Sequence, residues 1–149
     1  MKKFKFQLQS LMTIREWDEQ NARQELGRVN ALIGDLEGQL EALELEKRAT
    51  NDSWLSRSEQ TFSAGQRRVL DSSMHEMEVR VRDLTTRLNE TQQKRLDALK
   101  ELEAASRRKK IVENLKEKRL AEYKAAYDKH EANEIEDSIY GRRNNILQS

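Results

Sequence analysis

From residue 22 the apolar side chains fall at Ala22, Leu26, Val29, Ile33, Leu36, Leu40 and Leu43, in steps of 4, 3, 4, 3, 4 and 3. This spacing constrains the fold more than any other feature. An α-helix repeats every ~3.6 residues, so a stripe repeating every ~3.5 stays on one face only if the helix coils left-handedly around a partner. Leu8, Leu11, Met12 and Ile14 begin the same helix less regularly, and Trp54 rejoins the Leu43 phase after Lys47 and Thr50. A second stripe runs Leu70, Met74, Met77, Val81, Leu84 and Leu88, again in steps of 4 and 3. It weakens at Thr91 and Arg95, resumes at Leu99 and Leu102, and continues loosely through Val112, Leu115, Tyr123 and Tyr127.

Composition agrees. Ala, Glu, Lys, Leu and Arg make up a little over half of the 149 residues, as in coiled coils. The chain has no proline, so no ring clash need break a helix. A polar chain with 37% charged residues could instead be disordered. A net charge of only +1 and the periodic apolar residues argue for folding. There is no cysteine, which excludes disulfides and thiolate metal sites and fits a reducing compartment. The opening MKKFKFQLQS is charged but lacks the roughly 7–15-residue apolar core of a signal peptide. No apolar run reaches the roughly 18 residues of a membrane span. A soluble, cytoplasmic protein is expected.

Between the stripes, residues 49–68 read ATNDSWLSRSEQTFSAGQRR, rich in side chains that favour turns and caps. Gly65 is available for a positive φ there, and Ser73 with Glu76 forms a possible capping box. The expected fold is all-α: a long antiparallel two-helix coiled-coil hairpin, its second helix longer and overhanging. It reads as a single coiled-coil domain over 1–149, with helix one at 4–56, a hinge at 57–66, helix two at 67–140 and a frayed tail at 141–149. With the reversal near residue 61, paired positions sum to about 122. Phe4 then lies near Lys118, and residues beyond roughly 120 lack a partner. Asp35, Glu37, Glu41, Glu44 and Glu46 fall near Arg80, Arg82 and Arg87, which selects the antiparallel pairing.

Catalytic chemistry finds little foothold. His75 and His130 are far apart in sequence, without clustered ligands for a metal. Carboxylates are abundant, but a two-helix hairpin offers no pocket to desolvate one. GDLEG at 34–38 is a GxxxG spacing in a charged helix, outside the apolar setting where it matters. The chain is read as a non-enzyme with no cofactor, no metal and no catalytic residue.

The stretch RRKKIVENLKEKRLAEY at 107–123 is the strongest charge feature. In a helix, Lys109–Glu113 and Lys118–Glu122 are i,i+4 pairs, and Glu113–Lys116 and Arg119–Glu122 are i,i+3 pairs. A basic shoulder remains at Arg107, Arg108, Lys109 and Lys110. Ile111, Val112 and Leu115 supply an inner face toward Phe6, Leu8 and Leu11. Nucleic-acid binding calls for a basic domain with stacking aromatics, which the near-neutral balance does not supply. The expected partners are proteins, with no nucleic acid.

Taken in order, FKFQLQSLMTIRE, the polar break, RRKKIVENLKEKRLAEY and the late EANEIEDSIYGRR resemble the flagellar type III export protein family FliJ. The resemblance implies a two-stranded antiparallel coiled coil that looks like the central stalk of rotary ATPases. It implies a non-enzymatic stalk or adaptor of the export apparatus, needed for flagellum biogenesis and motility. Three partners follow: a hexameric export ATPase whose ring receives the paired terminal end and is promoted by it, the cytoplasmic part of the export-gate membrane protein, and export chaperones that it escorts. It implies peripheral association with the inner face of the cell membrane through those partners. Carried onto this chain, the gate-contacting surface falls on Gln39, Leu43, Leu70, Met74, Met77 and Val81. Glu46 and Thr50 stand where family members can carry aromatics. The ring-contacting end falls on Phe4, Phe6, Leu8, Leu11, Arg107, Arg108, Lys109, Lys110, Lys116, Lys118 and Arg119. The equivalent stalk of a virulence-type injectisome needs the same fold and stays open as an alternative, as does a generic coiled-coil scaffold.

Overall fold

The computed structural model describes residues 2–57 and 63–148. They form two helices, α1 (Gln9–Ser56) and α2 (Ala64–Gln148), with no strand among the described residues. The helices pack against each other as a two-helix hairpin, and α2 is the longer at 85 residues to 48. The chain divides into two compact units. Unit 1 holds Met1–Gln20 and Ala104–Ser149; unit 2 holds Asn21–Glu103.

Unit 2 carries the first stripe. Ala22, Val29, Leu36 and Leu43 are buried at heptad spacing, and Leu26, Ile33 and Leu40 between them are half-buried. Lys47, Thr50 and Trp54 continue the half-buried edge. On α2, Leu70, Met74, Val81, Leu84 and Leu88 are half-buried and Met77 is buried. Thr91, where the stripe weakens in sequence, is buried too. Its hydroxyl donates to the carbonyl of Arg87 at 2.7 Å, so burial strands no hydrogen bond. Lys47 Nζ lies 3.9 Å from Glu78, a cross-helix contact. The expected pairing of the acidic stretch with Arg80 and Arg87 is not realised. These arginines face Glu76 and Asp83 one turn away on their own helix, at 3.4 and 3.8 Å. An i,i+4 partner is already within reach and costs less side-chain entropy than a partner across the seam.

In unit 1 the contacts run antiparallel. Lys109 Nζ reaches Glu19 at 3.4 Å, Lys116 Nζ donates to Gln9 Oε1 at 3.0 Å, and the Tyr123 hydroxyl donates to the carbonyl of Lys2. These positions sum to 125 or more, so the register is shifted by about one helical turn from a reversal at residue 61. Phe4 consequently packs on Tyr123, with ring centroids 5.6 Å apart, instead of on Lys118. Tyr123 still contacts Lys2 and Phe4 across the hairpin, and residues 124–148 of α2 are exposed, so the overhang begins slightly later than expected.

The ends of the helices differ from the sequence expectation in physically readable ways. Residues 2–6 are not helical, so α1 starts at Gln9, where a 3.0 Å bond from its N–H to Phe6 O closes the first turn. The α2 cap is Ser63, not Ser73. Gln66 N–H donates to Ser63 Oγ at 3.2 Å, and Ser63 N–H donates to Gln66 Oε1 at 3.1 Å, a reciprocal capping box. Glu76 is thereby free to pair with Arg80. Gly65 sits in the first turn of α2, and no glycine among the described residues has a positive φ. Of the expected hinge at 57–66, residues 58–62 lie outside the described residues. The tail expected to fray is helical through Gly141 to Gln148, with no proline to stop it.

Candidate functional site

The candidate surfaces are exposed side chains on the two helices. In unit 1 the basic shoulder is divided. Arg107, Arg108, Lys110, Lys118 and Arg119 are exposed, whereas Lys109 and Lys116 are half-buried and turned onto Glu19 and Gln9 of α1. Lys109 also lies 3.5 Å from Glu113, as the i,i+4 spacing requires. Heptad geometry explains the split. Lys109, Lys116 and Tyr123 recur every seven residues on the face toward α1, and their long stems cover apolar surface while their polar tips find partners. Ile111 was expected to face inward with Val112 and Leu115. Val112 is buried and Leu115 half-buried, but Ile111 is 68% exposed, because consecutive helix positions point about 100° apart.

The aromatic opening lies along α2. Phe4 and Phe6 are half-buried, Leu11 is half-buried and Leu8 is more exposed. A groove of about 390 Å³ runs between this segment and Arg119, Glu122 and Tyr123. Tyr127 stacks over Tyr123 at 6.3 Å. The Tyr127 phenol is held above the ordinary tyrosine value by its hydrogen bond to the Glu131 carboxylate and by that carboxylate's charge.

In unit 2 the six candidate gate residues separate by burial. Leu43 and Met77 are covered in the seam, Leu70, Met74 and Val81 are half-buried, and Gln39 is exposed with its amide on Asp35 at 3.2 Å. An open groove of about 480 Å³ beside them is lined by Asn51, Trp54, Leu55, Ser63, Ala64, Arg67 and Leu70. Leu55 in that groove is exposed, as is Val69 on α2, and sequence periodicity does not mark them because neither falls in a stripe. In unit 1, Ile14, expected in the opening seam, is 54% exposed, and Trp17, which no stripe marks, is 64% exposed. Their three-residue spacing was the available signal. His75 and His130 are exposed, and among the described residues no group of three or more His, Asp or Glu is placed to hold a metal ion. No helix among the described residues is long and apolar enough to cross a membrane.

A two-helix hairpin is too general an architecture to name a function. A match to the profile of the flagellar FliJ protein spans residues 4–143, nearly the whole chain. The chain belongs to the FliJ family. No curated protein and no solved structure matches it. FliJ membership makes this a flagellar export-related protein.

Proposed function

We propose that this FliJ-family chain is a non-enzymatic stalk of the flagellar type III export apparatus, acting in the cytoplasm at the inner face of the cell membrane. The observation that carries the reading is the family match over residues 4–143 on a two-helix hairpin whose second helix is the longer. Unit 1 enters the ring of the hexameric export ATPase, and unit 2 meets the export gate. Export chaperones are handled along the same surfaces.

The division of the basic residues sharpens the ring contact. Arg107, Arg108, Lys110, Lys118 and Arg119 offer charge outward, while Lys109 and Lys116 serve the hairpin itself. Charges on the rim of a contact steer association and register without making it sticky, which suits a shaft that must bias ring subunits and let go. At the gate, Gln39 and the half-buried edges of Leu70, Met74 and Val81 supply the contact; Leu43 and Met77 support them from beneath. Flexible methionine and leucine edges adapt readily to a partner.

Purified chain is mixed with its cognate export ATPase, and hydrolysis and ring formation are measured. Stimulation of hydrolysis is expected, and Lys110→Ala with Arg119→Ala together should reduce it while the helical content is unchanged. No binding and no stimulation by the wild-type chain would overturn the reading.

A further inference from the structure

Past Tyr127, residues 128–148 of α2 are all exposed. Positions that continue the hairpin seam there are His130, Asn133, Asp137, Tyr140, Asn144 and Leu147, a mostly polar row in which only Tyr140 and Leu147 are apolar, both exposed. A different row takes over. Ala125, Asp128, Ala132, Ile135, Ile139, Arg142 and Ile146 follow one another in steps of 3 and 4. At about 100° per residue this row lies on nearly the opposite side of α2 from the seam. Ile135 and Ile139, at its centre, are 60% and 59% exposed. A row with a 3.5-residue period is built to pack against another helix, and α1 does not reach it.

Charge identifies which helix fits. Asp128, Glu131, Glu134 and Glu136 outnumber Lys129 before the centre at Asp137, and Arg142 and Arg143 follow it. A second copy laid antiparallel and centred on Asp137 sets Ile135 of each copy against Ile139 of the other. The same overlay brings Arg143 of each copy opposite Glu131 of the other. A parallel copy would stack acid on acid. We propose that two copies of this chain associate through antiparallel pairing of this row. A stable protein interface engages about 20–30 residues a side. One face of the 21 residues 128–148 falls short of that, so the dimer is weak and reversible.

Sedimentation equilibrium of the full chain over a wide concentration range reads this directly. A monomer–dimer equilibrium is expected. Ile139→Asp should weaken it at least about tenfold, since it places a charge at the apolar centre. Arg143→Glu should weaken it less, and adding Glu131→Arg should restore it, because the swapped charges face each other again. Circular dichroism of each variant checks that the helices persist. The chain has no cysteine, so orientation is testable by disulfide. An Ala132→Cys chain should join an Arg142→Cys chain, and should not join another copy of itself. A monomer at all concentrations, a dimer indifferent to Ile139→Asp, or a double charge swap no better than Arg143→Glu alone would each overturn the proposal.

Discussion

Replacing Lys109 should destabilise the hairpin, although a surface lysine in a charged helix is normally dispensable. Its ammonium lies 3.4 Å from Glu19, whose side chain is only 12% exposed. Exposed ion pairs contribute about 0–1 kcal/mol, and removing one partner of a fully buried pair costs about 3–5 kcal/mol. Lys109 is itself 27% exposed, which places the pair between those limits and nearer the first. Lys109→Ala should therefore cost about 1–2 kcal/mol, since it strips that cation from a largely covered carboxylate. Glu19→Ala should cost less, about 1 kcal/mol, because Lys109 keeps Glu113 at 3.5 Å. Urea unfolding followed by far-ultraviolet circular dichroism, on both single variants and the double, gives the coupling energy. About 1 kcal/mol is expected for residues in contact. A coupling below about 0.3 kcal/mol would refute the reasoning, because that is the scatter between independent sites. The paired replacement Glu19→Leu with Lys109→Leu provides a second check. It should be neutral or stabilising, as replacing a covered ion pair with apolar groups often is.

Ser63→Ala should cost about 1 kcal/mol in thermal unfolding by removing half of the α2 capping box. Gly34→Ala and Gly38→Ala should each stabilise by about 0.5–1 kcal/mol, since a Cβ at either position meets nothing within 4 Å; a lower melting temperature would contradict this. Met77→Ala should destabilise by about 2–3 kcal/mol, because the side chain is 8% exposed in the seam; full retention of stability would show that the seam is loosely packed there. Tyr127 should ionise above the ordinary tyrosine value of 10.0 and fall back in Glu131→Gln, read by ultraviolet titration against Tyr127→Phe. The phenol's folded pKa is raised, so its stabilising effect is complete below that ordinary value and is lost as pH rises through the raised one.

The seam was readable because burial follows period. Ala22 through Leu43 and Leu70 through Leu88 are covered or half-covered in the order their spacing implies. Legibility fails where a covered position carries the wrong chemistry for a hydropathy pattern. Ala105 is the most covered residue described, yet a small alanine among EAASRRKK looks neutral in sequence. Lys109 and Lys116 read as surface cations until their neighbours on α1 are known. Ser63–Gln66 was as visible as Ser73–Glu76, and only the hydrogen bonds distinguish them. Which of the proposed contact residues are exposed was not legible in the sequence. A contact residue must be exposed, and exposure depends on which face the partner helix covers.

Residue order alone pointed to two helices with complementary stripes, because a 3.5-residue apolar period without proline leaves water by packing against another helix. Family membership was legible in the same order of segments. Register was decided only in three dimensions. A shift of about one turn leaves every stripe on its own face and hardly alters the apolar burial, so periodicity cannot detect it. Side-chain partners of definite length do detect it: Glu19 with Lys109, Gln9 with Lys116, and Phe4 with Tyr123. The same fit sets which cations face outward for a partner and where α2 runs on alone.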